Sequence, residues 1–312
     1  MEKLSHNVAI IGAGTWGSAL GKIIDSNHYS VQLWSRRSEV NLANILKNSF
    51  VVVSAVSIKG VKPTIDRLKN LDLQSQTIIV SATKGLDPQT TKTPSQMWRE
   101  AFPNNPLVVL SGPNLSREIM QDLPAATVVA SKNSIAAETI QSVMASELFR
   151  VYVNQDPLGT ELGGTLKNIM AIAAGVCDGM NLGTNAKAAL LTRALPEIIA
   201  IGTCLGAKAE TFFGLSGLGD LIATCESPLS RNYQVGYGLA QGKTLAQILE
   251  QLKGTAEGVN TTRVLIKIAR QQKIAVPISE QVYLLLEGEI SPQQAVTALM
   301  AREPKAESYE IK

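Results

Sequence analysis

The hexapeptide Gly12-Ala13-Gly14-Thr15-Trp16-Gly17 stands between an apolar run, Val8-Ala9-Ile10-Ile11, and a helical pattern, Ser18-Ala19-Leu20-Gly21-Lys22-Ile23-Ile24. No other feature constrains the fold as strongly. Between a strand and a helix, glycines at this spacing have separate uses. Gly12 makes the tight turn, Gly14 lets the backbone approach a pyrophosphate, and Gly17 lets helix and strand pack closely. The helix start adds free amides and a partial positive charge. Thr15 and Trp16, between the last two glycines, join them as expected cofactor contacts. A second apolar run, Val31-Gln32-Leu33-Trp34, completes a βαβ unit of about 30 residues, the context that a dinucleotide-binding turn requires.

Further β-branched runs follow at Phe50 to Val56, Thr77 to Ala82, Leu107 to Leu110, Ala126 to Ala130 and Phe149 to Val153, separated by helical patterns. This alternation predicts an α/β chain whose N-terminal part is a Rossmann-type, doubly wound, mostly parallel sheet with helices on both faces. The runs lack period-2 alternation, as strands buried on both sides do. After Asp156 the strand signals stop. Glycines punctuate the remainder, from Leu158-Gly159 through Gly175, Gly183, Gly202 and Gly206. Apolar i, i+3, i+4 spacing marks helices over Ala186 to Leu205, Thr244 to Leu252, Thr261 to Gln271 and Ser279 to Glu287. The expected organisation is a dinucleotide-binding domain over 1–156 and an all-α substrate domain over 157–312, meeting near Asp156-Pro157. The polar tail after Arg302 is expected to fray.

Composition narrows the function. Lys and Arg total 29 against 26 Asp and Glu, with no concentrated basic stripe, so nucleic acid is not an expected partner. The stretch Met1 to Asn7 lacks the apolar core of a leader, and the longest apolar run, Ile169 to Val176, falls well short of the roughly 20 residues that span a bilayer. A cytoplasmic protein without membrane insertion is expected. Three widely spaced cysteines, Cys177, Cys204 and Cys225, suit reduced thiols acting as small buried hydrophobes. The only histidines are His6 and His28, too few for a zinc site or a Ser-His-Asp triad. No metal is expected, and the acid or base of any chemistry is expected not to be histidine.

The second strand bears on the cofactor. NAD-binding versions of this unit end that strand in an Asp or Glu that bonds the ribose 2′-hydroxyl. Here Trp34 is followed by Ser35-Arg36-Arg37, and the first acid is Glu39. Guanidiniums grip phosphate through a rigid bidentate fork, so Arg36 and Arg37 suit a 2′-phosphate. NADP(H) is the expected cofactor, with NAD(H) possible. The competing reading is two solvated loop arginines.

Five motifs follow in order: Thr83-Lys84-Gly85-Leu86, Ser111-Gly112-Pro113-Asn114, Leu166-Lys167-Asn168, Gly217-Leu218-Gly219-Asp220 and Ser230-Arg231-Asn232. Together with the glycine fingerprint, and from Gly12 to about Gly258, the chain resembles the bacterial-type NAD(P)-dependent glycerol-3-phosphate dehydrogenases. The resemblance implies reversible hydride transfer between NAD(P)H and dihydroxyacetone phosphate, supplying sn-glycerol 3-phosphate for glycerophospholipids, in a homodimer. It makes Lys167 the proton acceptor in alcohol oxidation and donor in ketone reduction. Partial burial and a second cation, Lys84, would each lower its pKa towards the roughly 7–8 useful for proton transfer. Asp220 is implied to orient Lys167 and accept substrate hydroxyl hydrogens, although an Asp at a helix entry also suits an N-cap. Ser230, Arg231 and Asn232 look like the clamp on the substrate phosphate, with Arg231 also near the cofactor. Gly112 and Asn114 match the substrate pocket, with Lys84 serving substrate and cofactor. Ser116 matches a position facing the nicotinamide, and Thr255 and Glu257 match cofactor contacts.

One departure concerns Ser38 to Ser49, where the family usually carries a much longer segment with additional elements. That segment helps to wall the adenine side. Two other readings compete. A lysine-using β-hydroxyacid dehydrogenase would need a carboxylate clamp, which Ser230-Arg231-Asn232 does not resemble. A non-catalytic NADP(H)-binding regulator would have no use for Lys84, Lys167 and Asp220 together.

Overall fold

The computed structural model describes residues 7–71, 73–252 and 254–303, so His6, the chain start and the polar tail from position 304 lie outside the described residues. Seven strands form one sheet: β1 (Asn7–Ile11), β2 (Ser30–Trp34), β3 (Ser49–Ser54), β4 (Ile78–Ser81), β5 (Leu107–Ser111), β6 (Ala125–Ala130) and β7 (Phe149–Asn154). Their order is β2-β1-β3-β4-β5-β6-β7. Strands β1 to β5 are parallel, β6 runs antiparallel to β5, and β7 is parallel to β6. Each strand read from the sequence is present. The missing period-2 signal has its cause here: along β1, Val8 and Ile10 enter one apolar layer and Ala9 and Ile11 the other.

The helices that cover the sheet are α1 (Thr15–Ser26), α2 (Leu42–Lys47), α3 (Ile58–Lys69), α4 (Pro94–Ala101), α5 (Ser116–Met120) and α6 (Ser134–Met144). The short Ser38 to Ser49 connection holds only α2, whose N-cap Asn41 accepts from the Ala43 amide at 2.9 Å. In the six-stranded dinucleotide fold a further strand lies outside the second one. Here β2 ends the sheet among the described residues.

Helices make up the rest: α7 (Pro157–Gly179), α8 (Gly183–Cys204), α9 (Asp220–Glu226), α10 (Arg231–Ala240), α11 (Leu245–Gln251), α12 (Glu257–Gln272), α13 (Pro277–Glu287) and α14 (Pro292–Met300). Two expectations are corrected. Gly159 and Gly175, read as punctuation, lie inside the single 23-residue α7, and Gly202 lies inside α8. A glycine inside a helix costs about 0.5–1 kcal/mol relative to Ala. Close packing is what α7 gains in return. A Cβ on Gly175 would stand 2.0 Å from the Tyr233 carbonyl oxygen, and one on Gly236 of α10 would stand 1.8 Å from that of Ile172. Backbone thus lies on backbone where α7 meets α10. Lys167 lies in the middle of this helix. Cys177 and Cys225 are buried as expected, but Cys204, at the end of α8, is exposed.

Candidate active site

Because β1, β3, β4 and β5 are parallel, their C-terminal ends open on one edge, and the strand order reverses between β1 and β3. Ligands of open α/β sheets bind at such a switch point. Gly12, at φ +116°, has room for no side chain: a Cβ would lie 2.6 Å from the Ala55 carbonyl oxygen. A Cβ on Gly17 would lie 1.8 Å from the Gly12 oxygen, whereas Gly14 faces open space. Gly14 is also the N-cap of α1 and supplies no side-chain cap. The first amides of α1 are thus left for a ligand, as a bound pyrophosphate requires. The Trp16 indole N–H donates to the Ala82 carbonyl at 2.9 Å, tying this turn to the end of β4. Thr15 is exposed beside it. Arg36 and Arg37 stand exposed on the turn after β2, which is held by the Ser35 amide donating to Ser38 Oγ at 2.9 Å.

Beyond the ends of β4 and β5, three charged side chains converge. Lys84 Nζ donates to Asp220 Oδ2 at 2.5 Å, and Lys167 Nζ donates to Asp220 Oδ1 at 2.5 Å. Lys84 also donates to the Gly112 carbonyl at 3.3 Å. Asp220 is 2% exposed and Lys167 6%. The N-cap alternative for Asp220 is overturned: Gly219 holds that position, and the carboxylate serves the two lysines instead. Burial lowers the Lys167 pKa from 10.5 to about 8; Asp220 opposes the fall and the Lys84 charge adds to it. Two cations on one carboxylate leave one positive charge, which suits an anionic ligand. A lysine poised near pH 8 can give or take a proton at Nζ.

Gly164, on α7, makes this convergence possible. A Cβ there would lie 2.1 Å from Ser111 Oγ and 3.2 Å from Lys84 Cε. Ser111 Oγ is buried without a hydrogen-bond partner among the described residues. Sequence reading missed that hydroxyl, and it missed Thr224. Thr224 Oγ accepts from Lys167 Nζ and donates to Asp220 Oδ1 at 3.2 Å. Its legible signal was a hydroxyl one helical turn after Asp220, on the same face.

The remaining residues are brought to a second cluster or used elsewhere. Asn114 Oδ1 accepts from Thr127 Oγ at 2.8 Å and its Nδ2 donates to the Ala126 carbonyl at 3.1 Å, so this side chain ties the Gly112 turn to β6. Ser230 is the N-cap of α10, accepting from the Tyr233 amide at 3.3 Å. Asn232 Oδ1 accepts from the Gly258 amide at 2.9 Å. Arg231 is exposed and lies against Gly254, where a Cβ would stand 2.3 Å from Nη1. Thr255 Oγ donates to Glu257 Oε1 at 3.1 Å. Burial raises the Glu257 pKa, with the Thr255 hydroxyl, the Arg231 charge and the Ile58 amide opposing. This second cluster leans on α7 just past Lys167, since a Cβ on Gly258 would be 2.7 Å from the Asn168 carbonyl oxygen. Ser116 opens α5, partly exposed.

The family model described as the NAD-dependent glycerol-3-phosphate dehydrogenase C-terminus matches residues 156–297, and its N-terminal counterpart matches 7–41 and 37–137. The chain belongs to this family. A member from Synechocystis sp., a glycerol-3-phosphate dehydrogenase [NAD(P)+], is 63% identical over 300 residues, covering 96% of this chain and 95% of its own. One from Acaryochloris marina, of the same name, is 60% identical over 304 residues, 97% of this chain and 98% of its own. The crystal structure of glycerol-3-phosphate dehydrogenase from Coxiella burnetii superposes with a TM-score of 0.91 at 33% identity, covering 96% of this chain and all of that one. Among the described residues no helix is long and apolar enough to cross a membrane.

Proposed function

We propose that this chain interconverts dihydroxyacetone phosphate and sn-glycerol 3-phosphate with NAD(P)(H), its 1–156 part binding the dinucleotide and its 157–312 part completing the substrate site. The observation that carries this reading is the convergence of Lys84 and Lys167 on the buried Asp220, beside an uncapped glycine turn of dinucleotide type. The nicotinamide, when bound, supplies or takes the hydride. Lys167 Nζ gives its proton to the developing alkoxide in ketone reduction and accepts it from the hydroxyl in oxidation. Asp220 holds that ammonium in place, and Thr224 fixes its direction. Lys84 adds positive charge where an anionic substrate must sit. Mixing the purified protein with dihydroxyacetone phosphate and NADPH should consume nicotinamide absorbance. Turnover of β-hydroxyacids in place of the phosphorylated triose would overturn the assignment.

Arg36 and Arg37 favour NADP(H), because two exposed guanidiniums stand where an NAD enzyme places an acid. Changing both to Ala should raise KM for NADPH much more than KM for NADH. Equal effects on the two, or an unmodified enzyme that prefers NADH, would reverse this preference. The product suits a cytoplasmic supply of glycerophospholipid backbone. The family resemblance implies a homodimer. Light scattering should then give twice the mass of one chain.

A further inference from the structure

Glu161 is a carboxylate, 2% exposed, that the proton-transfer scheme leaves unused. It lies on α7, under two turns before Lys167. Its Oε1 accepts from the Ser95 amide at 2.9 Å, its Oε2 accepts from Ser95 Oγ at 2.5 Å, and Ser81 Oγ stands 3.4 Å from Oε1. Burial raises its pKa from 4.5 to about 7, against the hydrogen bonds from Ser95, Thr93 and Ser81. Burying a carboxyl that no cation compensates is a costly way to hold a fold together.

What the carboxylate grips suggests another use. Ser81 ends β4 and Ser95 lies in the first turn of α4, so Glu161 clasps both ends of the connection that carries Lys84. Residues of the helical part pin the same connection between those ends. The Gly85 amide donates to Thr165 Oγ at 3.0 Å, and Asn260 Nδ2 donates to the Leu86 carbonyl at 3.0 Å. Glu161 and Thr165 are one turn apart on α7, and Lys84 crosses that helix at Gly164, between them. A lysine stem is flexible, so the placement of its backbone decides whether Nζ reaches Asp220 and the Gly112 carbonyl together. We infer that Glu161 is a positioning residue: by clasping the Ser81-to-Ser95 connection against α7, it sets the reach of Lys84 onto the carboxylate shared with Lys167. This rests on the roles proposed above for Lys84, Lys167 and Asp220.

The test is a double-mutant cycle on NADPH-linked reduction of dihydroxyacetone phosphate, using Glu161→Gln, Lys84→Met and the pair. Misplacement of a reacting group by about 1 Å costs on the order of 10²-fold. Glu161→Gln should therefore lower kcat by about 10- to 100-fold, with KM for NADPH nearly unchanged. In the Lys84→Met background the same change should cost less than about twofold, because the two residues act as one unit. If Lys84→Met alone leaves the rate intact, the reading of the site fails. If Lys84→Met is impaired but Glu161→Gln lowers both backgrounds by one factor, or if Glu161→Gln matches the unmodified enzyme, the positioning role is overturned. Should Glu161→Gln not fold, Ser95→Ala takes its place in the cycle. Ser95→Thr, which keeps the hydroxyl, should then restore the rate, and a fully active Ser95→Ala would overturn the proposal.

Discussion

Lys167→Met should retain NADPH binding yet lose at least the roughly 10²–10⁴-fold in kcat that a positioned general acid contributes. Met keeps the length of the side chain without its charge, and Lys84 still pairs with Asp220, so the pocket is left with no unpaired carboxylate. The glycine turn after β1 and the arginines after β2 belong to other elements, so cofactor affinity should hold. Fluorescence titration with NADPH and single-turnover reduction would separate the two effects. The unmodified enzyme should show the same group in its pH profile. With a Lys167 pKa of about 8, ketone reduction needs the protonated form and should decline above about pH 8; alcohol oxidation needs the neutral form and should decline below it. A Lys167→Met enzyme with near-normal turnover, or identical pH profiles in both directions, would remove Lys167 from the chemistry.

Arg231→Ala should lower kcat/KM for dihydroxyacetone phosphate by roughly 30- to several-thousand-fold, the equivalent of about 2–5 kcal/mol for a desolvated phosphate left poorly paired. The substrate is small, with few apolar atoms to bury, so its dianion is the main handle for orientation. Of the three residues read as the clamp, Ser230 is engaged in capping α10 and the Asn232 carbonyl oxygen in holding the Gly258 amide. Arg231 keeps an exposed guanidinium, and a charge-assisted bond from it is roughly twice as strong as a neutral one. Unphosphorylated dihydroxyacetone should be a very poor substrate for the unmodified enzyme. It should lose little more in Arg231→Ala, so that the change in the enzyme and the change in the substrate are not additive. An equal loss on both substrates would instead place Arg231 on the cofactor or on the fold.

The sequence by itself determined the sheet and the cofactor turn. Both are local: a buried parallel strand is a short β-branched run, and Gly12, Gly14 and Gly17 each answer a steric demand within one strand-turn-helix unit. Lys84, Lys167 and Asp220 were legible as a working group only through motifs in family order, because they lie on three segments far apart in the chain. Only the tertiary structure decided how each is held. Whether glycine breaks a helix depends on what lies across from it, so Gly175 passed for punctuation until the backbone of α10 was placed against α7, and Gly159 until the Asp156 carboxylate and Thr211 were placed against it. Asp220 fitted an N-cap by position, and two lysines from elsewhere took its oxygens instead. Thr224 and Glu161 stand in ordinary helical patterns, and what distinguishes them is the partner each meets: an ammonium for Thr224 and the start of α4 for Glu161. Periodicity and turn chemistry are properties of neighbours along the chain. Desolvation, shared charge and the close approach of two backbones exist only between segments that folding has brought together.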